Sequence, residues 1–308
     1  MDTFTHALSA LVVFSIPPDG IVLPFAVFGA IIPDVDVVFH AISRRSPGLY
    51  ILTHGGFTHS IAGSLATSAL AFLVASGVGL SGLVPWIRPG LFGPVALAFM
   101  LAGTLLHVLE DLLAYPGIPL LYPATERKFT AGIFPGPSLE LFAVSLGFVT
   151  WAAMGVAGPA ALGWYAAVFF GFIGLSAAVK AYMALAHPGQ TIPTFNPARW
   201  LLLDADDRAI HLREYRLFRG ITAVLTVERF RGTSEQDVDR FRDLPEVRQH
   251  RYFSYLSVAE KNGGIITFRD PLREQGIIPY PPYAMTVSIG EDGGRPAGTP
   301  AATGQGNR

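Results

Sequence analysis

The chain has no cysteine among its 308 residues. This excludes disulfides, thiolate metal sites and cysteine nucleophiles, and it leaves any bound metal to imidazoles and carboxylates, a donor set that suits zinc, manganese or iron. Charge is scarce too: 15% of residues are charged against 51% hydrophobic, with a formal net charge of −1. An ordinary soluble domain carries about 25% charged residues, and a nucleic-acid binder displays a basic face. Neither description fits, and no nucleic-acid partner is expected. The opening stretch, MDTFTHALSALVVFSIPPDG, has no basic n-region and no small-residue cleavage pattern, so it does not read as a removed signal peptide. No internal repeat is visible.

What the chain does have is long apolar runs. Those over residues 4–16, 21–32, 60–84, 91–115, 138–156 and 160–185 predict about six helical spans, although the first is short for a bilayer that needs about 20 residues. Pro17-Pro18 and Asp19-Gly20 stop the first run, and Ala157-Gly158-Pro159 makes a tight turn before the last. Composition changes after His187-Pro188-Gly189, where the sequence becomes charged and strand-like pieces begin: 223–230, 264–268 and 285–289, with a short helix over 237–241. The predicted fold is mostly α: a polytopic helical membrane domain over 1–190, a small soluble α+β domain over 194–290, and a disordered tail over 291–308.

Positive residues favour cytoplasmic loops. Arg44 and Arg45 follow the second run, Arg127 and Lys128 the fourth, and Lys180 and Arg199 flank the end of the sixth, while Arg88 falls on the other side. This pattern predicts a multi-pass protein of the cell (inner) membrane, with both termini and the C-terminal domain cytoplasmic.

Against this apolar background the ionisable residues stand out. His107 and Asp111 lie four residues apart on one helix face, where buried charge costs roughly 2.5 kcal/mol or more per residue and is read as functional by default. The same membrane side collects His6, Asp34, Asp36, His54, His59 and Glu140. Each also has a plainer reading. His6 sits where a helix start is capped, Asp34 follows Pro33 as a turn or N-cap residue, and Glu140 suits the positive end of a helix. His54 and His59 flank Gly55-Gly56, a turn able to present both. Glu110 points about 100° away from Asp111 and is the weaker acid. His40, His187, His211 and His250 have no partner at ligand spacing. Neutral imidazoles with carboxylates hold divalent metal and activate water, so the chemistry indicated is metal-assisted hydrolysis with one to three ions, zinc foremost, and an uncommitted Asp34 or Asp36 as general base.

Thr5-His6, Pro33-Asp34-x-Asp36, Thr58-His59-Ser60 and His107-x-x-x-Asp111, in this order, resemble the YdjM-type membrane-bound metal-dependent hydrolases. The resemblance covers about residues 1–185. That family is in turn similar in ligand order to the zinc phospholipase C and P1 nuclease group. The resemblance implies His6, Asp34, His59, His107 and Asp111 as metal ligands, joined by Glu140. It also implies a hydrolase, a reaction class without a substrate; bridged metals suit phosphoester cleavage, and the leading expectation is a lipid or lipid-linked phosphoester that reaches the site laterally. The family often places His-Arg-Gly before its Thr-His-Ser; here the segment is His54-Gly55-Gly56-Phe57, and the arginine is missing. The competing class is non-enzymatic, a metal-stabilised scaffold or a transporter.

Overall fold

The computed structural model describes residues 1–15, 22–39, 46–84, 87–136, 138–155, 158, 160–274, 286–290 and 293. The expected stops at Pro17-Pro18 and Asp19-Gly20, the charges Arg44 and Arg45, His40, Ala157 and Pro159 of the expected turn, and the tail from Glu291 apart from Gly293 lie outside the described residues. The chain divides into two compact units, Met1–Ser43 with Ile51–Met183, and Arg44–Tyr50 with Ala184–Arg308.

The first unit is helical. Helix α1, Thr3–Phe14, starts where the Asp2 carboxylate accepts a hydrogen bond from the Thr5 N–H at 3.0 Å. Helix α2, Leu23–Ile31, gives way to a 3₁₀ segment, Ile32–Phe39, at Pro33, whose missing N–H cannot continue the α ladder. Ser60 caps α3, Ile61–Ser81, and Gly82 ends it in the left-handed conformation at φ 68°. Then come α4, Pro94–Leu113; α5, Leu139–Ala153, capped by Ser138; and α6, Ala161–Ala186. A two-residue parallel pair, β1 (Ala114–Tyr115) with β2 (Phe134–Pro135), folds the proline-rich loop back against the end of α4.

The six-span expectation is corrected here. Among the described residues, three helices are long and apolar enough to cross a membrane: Ile61–Ser81, Pro94–Leu113 and Ala161–Ala186. At 1.5 Å per residue, α1 (12 residues) reaches about 18 Å, α2 (9 residues) about 14 Å and α5 (15 residues) about 22 Å, short of a hydrocarbon core of about 30 Å. The second apolar run fails as a span because Pro33 diverts it into the 3₁₀ segment.

Side chains in this unit are distributed inside out relative to a water-soluble bundle. Thr5, Ser9, Ser64, Ser68, Thr104 and Ser145 are buried, while Leu73, Leu80, Val95 and Leu175 are among the exposed large apolar residues. Lipid removes the hydrophobic drive between helices, so small and polar residues take the interfaces and aliphatic ones the outside. Helices α2 and α4 illustrate this. A Cβ on Gly103 would stand 1.9 Å from the Ala26 carbonyl oxygen, and one on Gly29 1.9 Å from that of Met100. With the backbones this close, the Thr104 hydroxyl donates to the Gly29 carbonyl at 3.0 Å. That approach brings the 3₁₀ segment after α2 beside the last turns of α4.

The second unit is the β-containing region. Strands β3 (Gln190–Pro193), β4 (Arg199–Ala205), β5 (Ala209–Arg216) and β6 (Gly220–Glu228) form an antiparallel meander in that order. A second sheet has the order β10-β9-β8-β7, from β7 (Phe230–Arg231), β8 (Val258–Asn262), β9 (Ile265–Arg269) and β10 (Val287–Gly290). It packs Ala259, Ile266, Phe268, Val287 and Ile289 against Val238, Phe241 and Val247, which lie in or beside the short helices α7 (Glu235–Asp239) and α8 (Pro245–Phe253). The strand-like pieces expected at 223–230 and 264–268 correspond to β6 and β9. That at 285–289 overlaps β10, with Met285 outside the described residues. The helix expected at 237–241 begins two residues earlier, where Ser234 caps it.

Candidate metal centre

Five side chains from four segments meet inside the helical unit. Helix α1 contributes His6, the 3₁₀ segment Asp34, a single 3₁₀ turn (Phe57–His59) His59, and the C-terminal turns of α4 both His107 and Asp111. The three imidazoles are fully buried, and the two carboxyl groups nearly so. His59 Nε2 lies 3.5 Å from Asp34 Oδ1 and 3.4 Å from Asp111 Oδ2. His107 Nε2 lies 3.6 Å from Asp34 Oδ1 and 3.4 Å from Asp111 Oδ2. His6 Nε2 is 3.3 Å from the other oxygen of Asp111, and its ring stacks on that of His107 with centroids 3.7 Å apart.

Two features set this cluster apart from an ordinary polar network. First, His6 Nε2, His59 Nε2, His107 Nε2 and Asp34 Oδ1 are buried without a hydrogen-bond partner, although buried polar atoms almost always have one. Second, a tetrahedral ion with bonds of about 2.0–2.1 Å needs ligand atoms about 3.3–3.4 Å apart. The four separations among His59, His107, Asp34 and Asp111, at 3.4–3.6 Å, come close to that length. Hydrogen-bonded atoms would stand nearer. The donor set and its spacing therefore fit a divalent cation. Three groups place one ligand atom per residue within 4.8 Å of one another: His6, His107 and Asp111; Asp34, His59 and His107; and Asp36, His54 and His59.

The opposite edge of each imidazole is held in turn. His107 Nδ1 is 2.7 Å from the Ala30 carbonyl oxygen, which can only accept, so the proton sits on Nδ1 and Nε2 is left with its lone pair. His6 Nδ1 is 2.7 Å from Glu110 Oε2. His59 Nδ1 is 3.0 Å from the Thr58 hydroxyl and 3.3 Å from Asp36 Oδ2. Asp36 is itself buried. Its Oδ2 accepts from the Thr58 hydroxyl, and its Oδ1 is 2.9 Å from Nδ1 of His54, a half-buried ring. Asp34 is steadied by the Thr3 hydroxyl, which donates to Oδ2 at 2.7 Å and leaves Oδ1 facing the cluster. The Met1 ammonium pairs with Asp111.

Electrostatics follow from this crowding. Burial alone would push the His59 imidazole down, but the carboxylates of Asp34 and Asp36 overcome it and raise the metal-free group to about 10. Burial would push the Asp36 carboxyl up, yet hydrogen bonds from His54 and His59 hold it at about 2. Asp34 is driven well below the carboxylate range by the same balance, burial opposing and His107 and His59 prevailing.

The structure thus brings together His6, Asp34, His59, His107 and Asp111, and sets His54 with Asp36 directly behind His59. Glu140 is elsewhere: it lies in the first turn of α5, its carboxylate accepts from the Ser138 hydroxyl at 2.9 Å, and it belongs to none of the three groups among the described residues. Sequence reasoning set Glu110 aside because it faces away from Asp111. That is the direction in which α1 packs and His6 is found, and an acid inside an apolar helix was itself the signal. Thr58 stood in the sequence only as a neighbour of His59 in the Thr58-His59-Ser60 motif, and Thr3 and the Ala30 carbonyl carried no signal.

Fold and site together define a helical protein with a lipid-suited exterior and a buried histidine–aspartate cluster able to hold a metal ion. Residues 1–185 match the model of the YdjM inner membrane protein family, and the chain belongs to that family. The inner membrane protein YdjM of Escherichia coli (strain K12) and that of Shigella flexneri are each 29% identical over 138 residues, 42% of this chain and 64% of theirs. The chain therefore spans just under two thirds of the length of these relatives. No solved structure matches it.

Proposed function

We propose that the protein is a membrane-bound, metal-dependent hydrolase that cleaves a phosphoester of a lipid or lipid-linked substrate. The observation that supports this is the convergence of three buried, unpartnered ligand atoms, Asp34 Oδ1, His59 Nε2 and His107 Nε2, with the imidazole nitrogens 3.5 and 3.6 Å from the carboxylate oxygen. Asp34, His59, His107 and Asp111 are the residues that would hold a divalent cation, and an all-imidazole and carboxylate set with near-tetrahedral spacing favours zinc. His107 Nε2 can serve one ion, so His6 and the remaining oxygen of Asp111 offer a second position, with Asp111 shared between the two. Bound there, such ions supply Lewis acidity and a water acidic enough to attack at neutral pH.

The remaining work belongs to the chain's own residues. Asp36 has both oxygens occupied by Thr58, His54 and His59, so its part is to orient them rather than to take a proton from water. His54, anchored through Nδ1 and partly exposed, is the group of this set that can meet a substrate. Asp34 keeps its charge and faces the cluster through Oδ1. The aliphatic outer faces of α3, α4 and α6 support a bilayer setting. The name of the E. coli and Shigella relatives points to the inner membrane, and the loop charges argue for a multi-pass protein with both termini and the C-terminal domain on the cytoplasmic side. We assign residues 194–290 a regulatory or partner-binding role.

One observation favours a second reading. Asp34, His59, His107 and Asp111 offer four protein donors with His–Asp separations of 3.4–3.6 Å, and a sphere filled by protein ligands is the hallmark of a structural ion, which suits a metal-stabilised scaffold or transporter. Activity separates the two. Detergent-purified protein would be assayed on vesicles of defined phospholipids and on bis(p-nitrophenyl) phosphate, beside His107→Ala and Asp111→Ala. The hydrolase reading expects turnover in the wild type that falls at least 100-fold in both variants. A wild type that retains metal yet turns over none of the panel favours the scaffold.

A further inference from the structure

The three imidazoles of the cluster are not held alike. His107 rests on a neutral carbonyl, whereas His6 is backed at 2.7 Å by Glu110, a buried carboxylate in the same helix as His107. Glu110 belongs to none of the potential ligand groups among the described residues. Its Oε2 meets the far edge of the His6 ring, and the unpartnered Nε2 of that ring faces Asp111.

We infer that Glu110 is the positioning carboxylate of His6 and sets how firmly the second ion position, the one formed by His6 and Asp111, is occupied. The chemistry is that of a carboxylate–imidazole pair. An acceptor on Nδ1 fixes the proton there, directs Nε2 at the ion and makes it the better donor, and losing such a partner costs about 10–100-fold in metal affinity. The effect is local. His59 takes its support from Asp36 and Thr58, and His107 from Ala30, so the position formed by Asp34, His59 and His107 does not depend on Glu110. On the His6 side, His6 is the one imidazole not shared with the other group, so the orientation of that ring weighs directly there. This inference rests on the metal-centre reading above.

Cobalt(II) titration of the metal-stripped full-length chain in detergent, followed by its d–d absorption, tests it. Two equivalents are expected in the wild type. In Glu110→Ala one of them weakens about 10–100-fold, and the residual spectrum matches that of His6→Ala, while the other equivalent is unchanged. Glu110→Gln retains a neutral acceptor and falls between the two; it decides the matter if the alanine variant does not fold. Unchanged affinities and spectrum in the folded variant overturn the inference, as does equal loss of both equivalents with helix content retained, which marks a general packing role. A wild type that takes up no cobalt overturns the metal reading and this inference with it, whereas cobalt uptake indifferent to Glu110 overturns this inference alone.

Discussion

Placing a methyl group at Gly103 should empty the metal centre without touching any of its ligands. The Cβ of alanine at this position would stand 1.9 Å from the Ala26 carbonyl oxygen. Relieving that overlap requires α2 and α4 to separate by at least about 1 Å, because close-packed backbones have no slack to absorb it. The consequences follow from what the approach positions. His107 Nδ1 reaches the Ala30 carbonyl at 2.7 Å, and a movement of that size lengthens the bond beyond hydrogen-bonding range. Asp34 is carried on the segment that follows α2, so its distance to His107 changes by about 1 Å, where metal–ligand bonds tolerate about 0.2 Å. Overpacking of this kind costs about 1–3 kcal/mol. Metal content by mass spectrometry and thermal unfolding in detergent are the assays. Gly77→Ala in α3 is the control, since a Cβ there meets nothing within 4 Å and should leave metal unchanged with stability raised by about 0.5–1 kcal/mol. Retention of both metal and stability in Gly103→Ala refutes the backbone contact on which the site geometry depends.

Three further outcomes are expected. Asp36→Asn removes the charged acceptor behind His59 and His54, so metal affinity measured by chelator competition should fall about 10–100-fold; no change would mean that these rings orient themselves. Proton release should accompany metal binding. The metal-free His59 is raised from its ordinary 6.5 to about 10, so its protonation stabilises the empty fold below 6.5, and that contribution is lost as pH rises through 10. An ion must displace this proton, so affinity should climb about tenfold per pH unit between about 6.5 and 9. Calorimetry in two buffers of different ionisation enthalpy checks this, and a heat independent of buffer speaks against it. Finally, Glu140→Gln should leave metal content intact and cost less than about 1 kcal/mol, as befits a first-turn acid engaged with Ser138; loss of metal would return Glu140 to the site.

Much of the helical unit was legible because lipid-suited helices are written as apolar runs, and the five residues that meet in the cluster were legible because ionisable side chains in or beside such runs stand out. His107 and Asp111 share a face by helical geometry alone. The grouping by membrane side listed His6, Asp34 and His59, which the structure brings into one cluster, together with Glu140, which pairs with Ser138 and belongs to none of the potential ligand groups among the described residues, because capping looks the same as ligation along a chain. Glu110 was missed for the converse reason: its partner lies on another helix, and the direction in which α1 packs is a tertiary fact. The span count failed where Pro33 turns an apolar stretch into a 3₁₀ segment, something hydropathy does not register. In the second unit, strands such as Arg199–Ala205 and Ala209–Arg216 mix charged with apolar residues and become strands through pairing with their neighbours. The sequence patterns of β6 and β9 were plainer, β6 being rich in β-branched residues and β9 adding Phe268 to them.

The central claim is that a divalent cation resides among His6, Asp34, His59, His107 and Asp111. The most direct measurement is elemental analysis of the detergent-purified wild type beside Asp111→Ala, the variant that removes the carboxylate facing all three imidazoles. The account expects one or two equivalents of a first-row divalent metal, zinc foremost, in the wild type, and loss of it in the variant with helix content preserved. A wild type free of such metal, or a variant that keeps its full complement, contradicts the account.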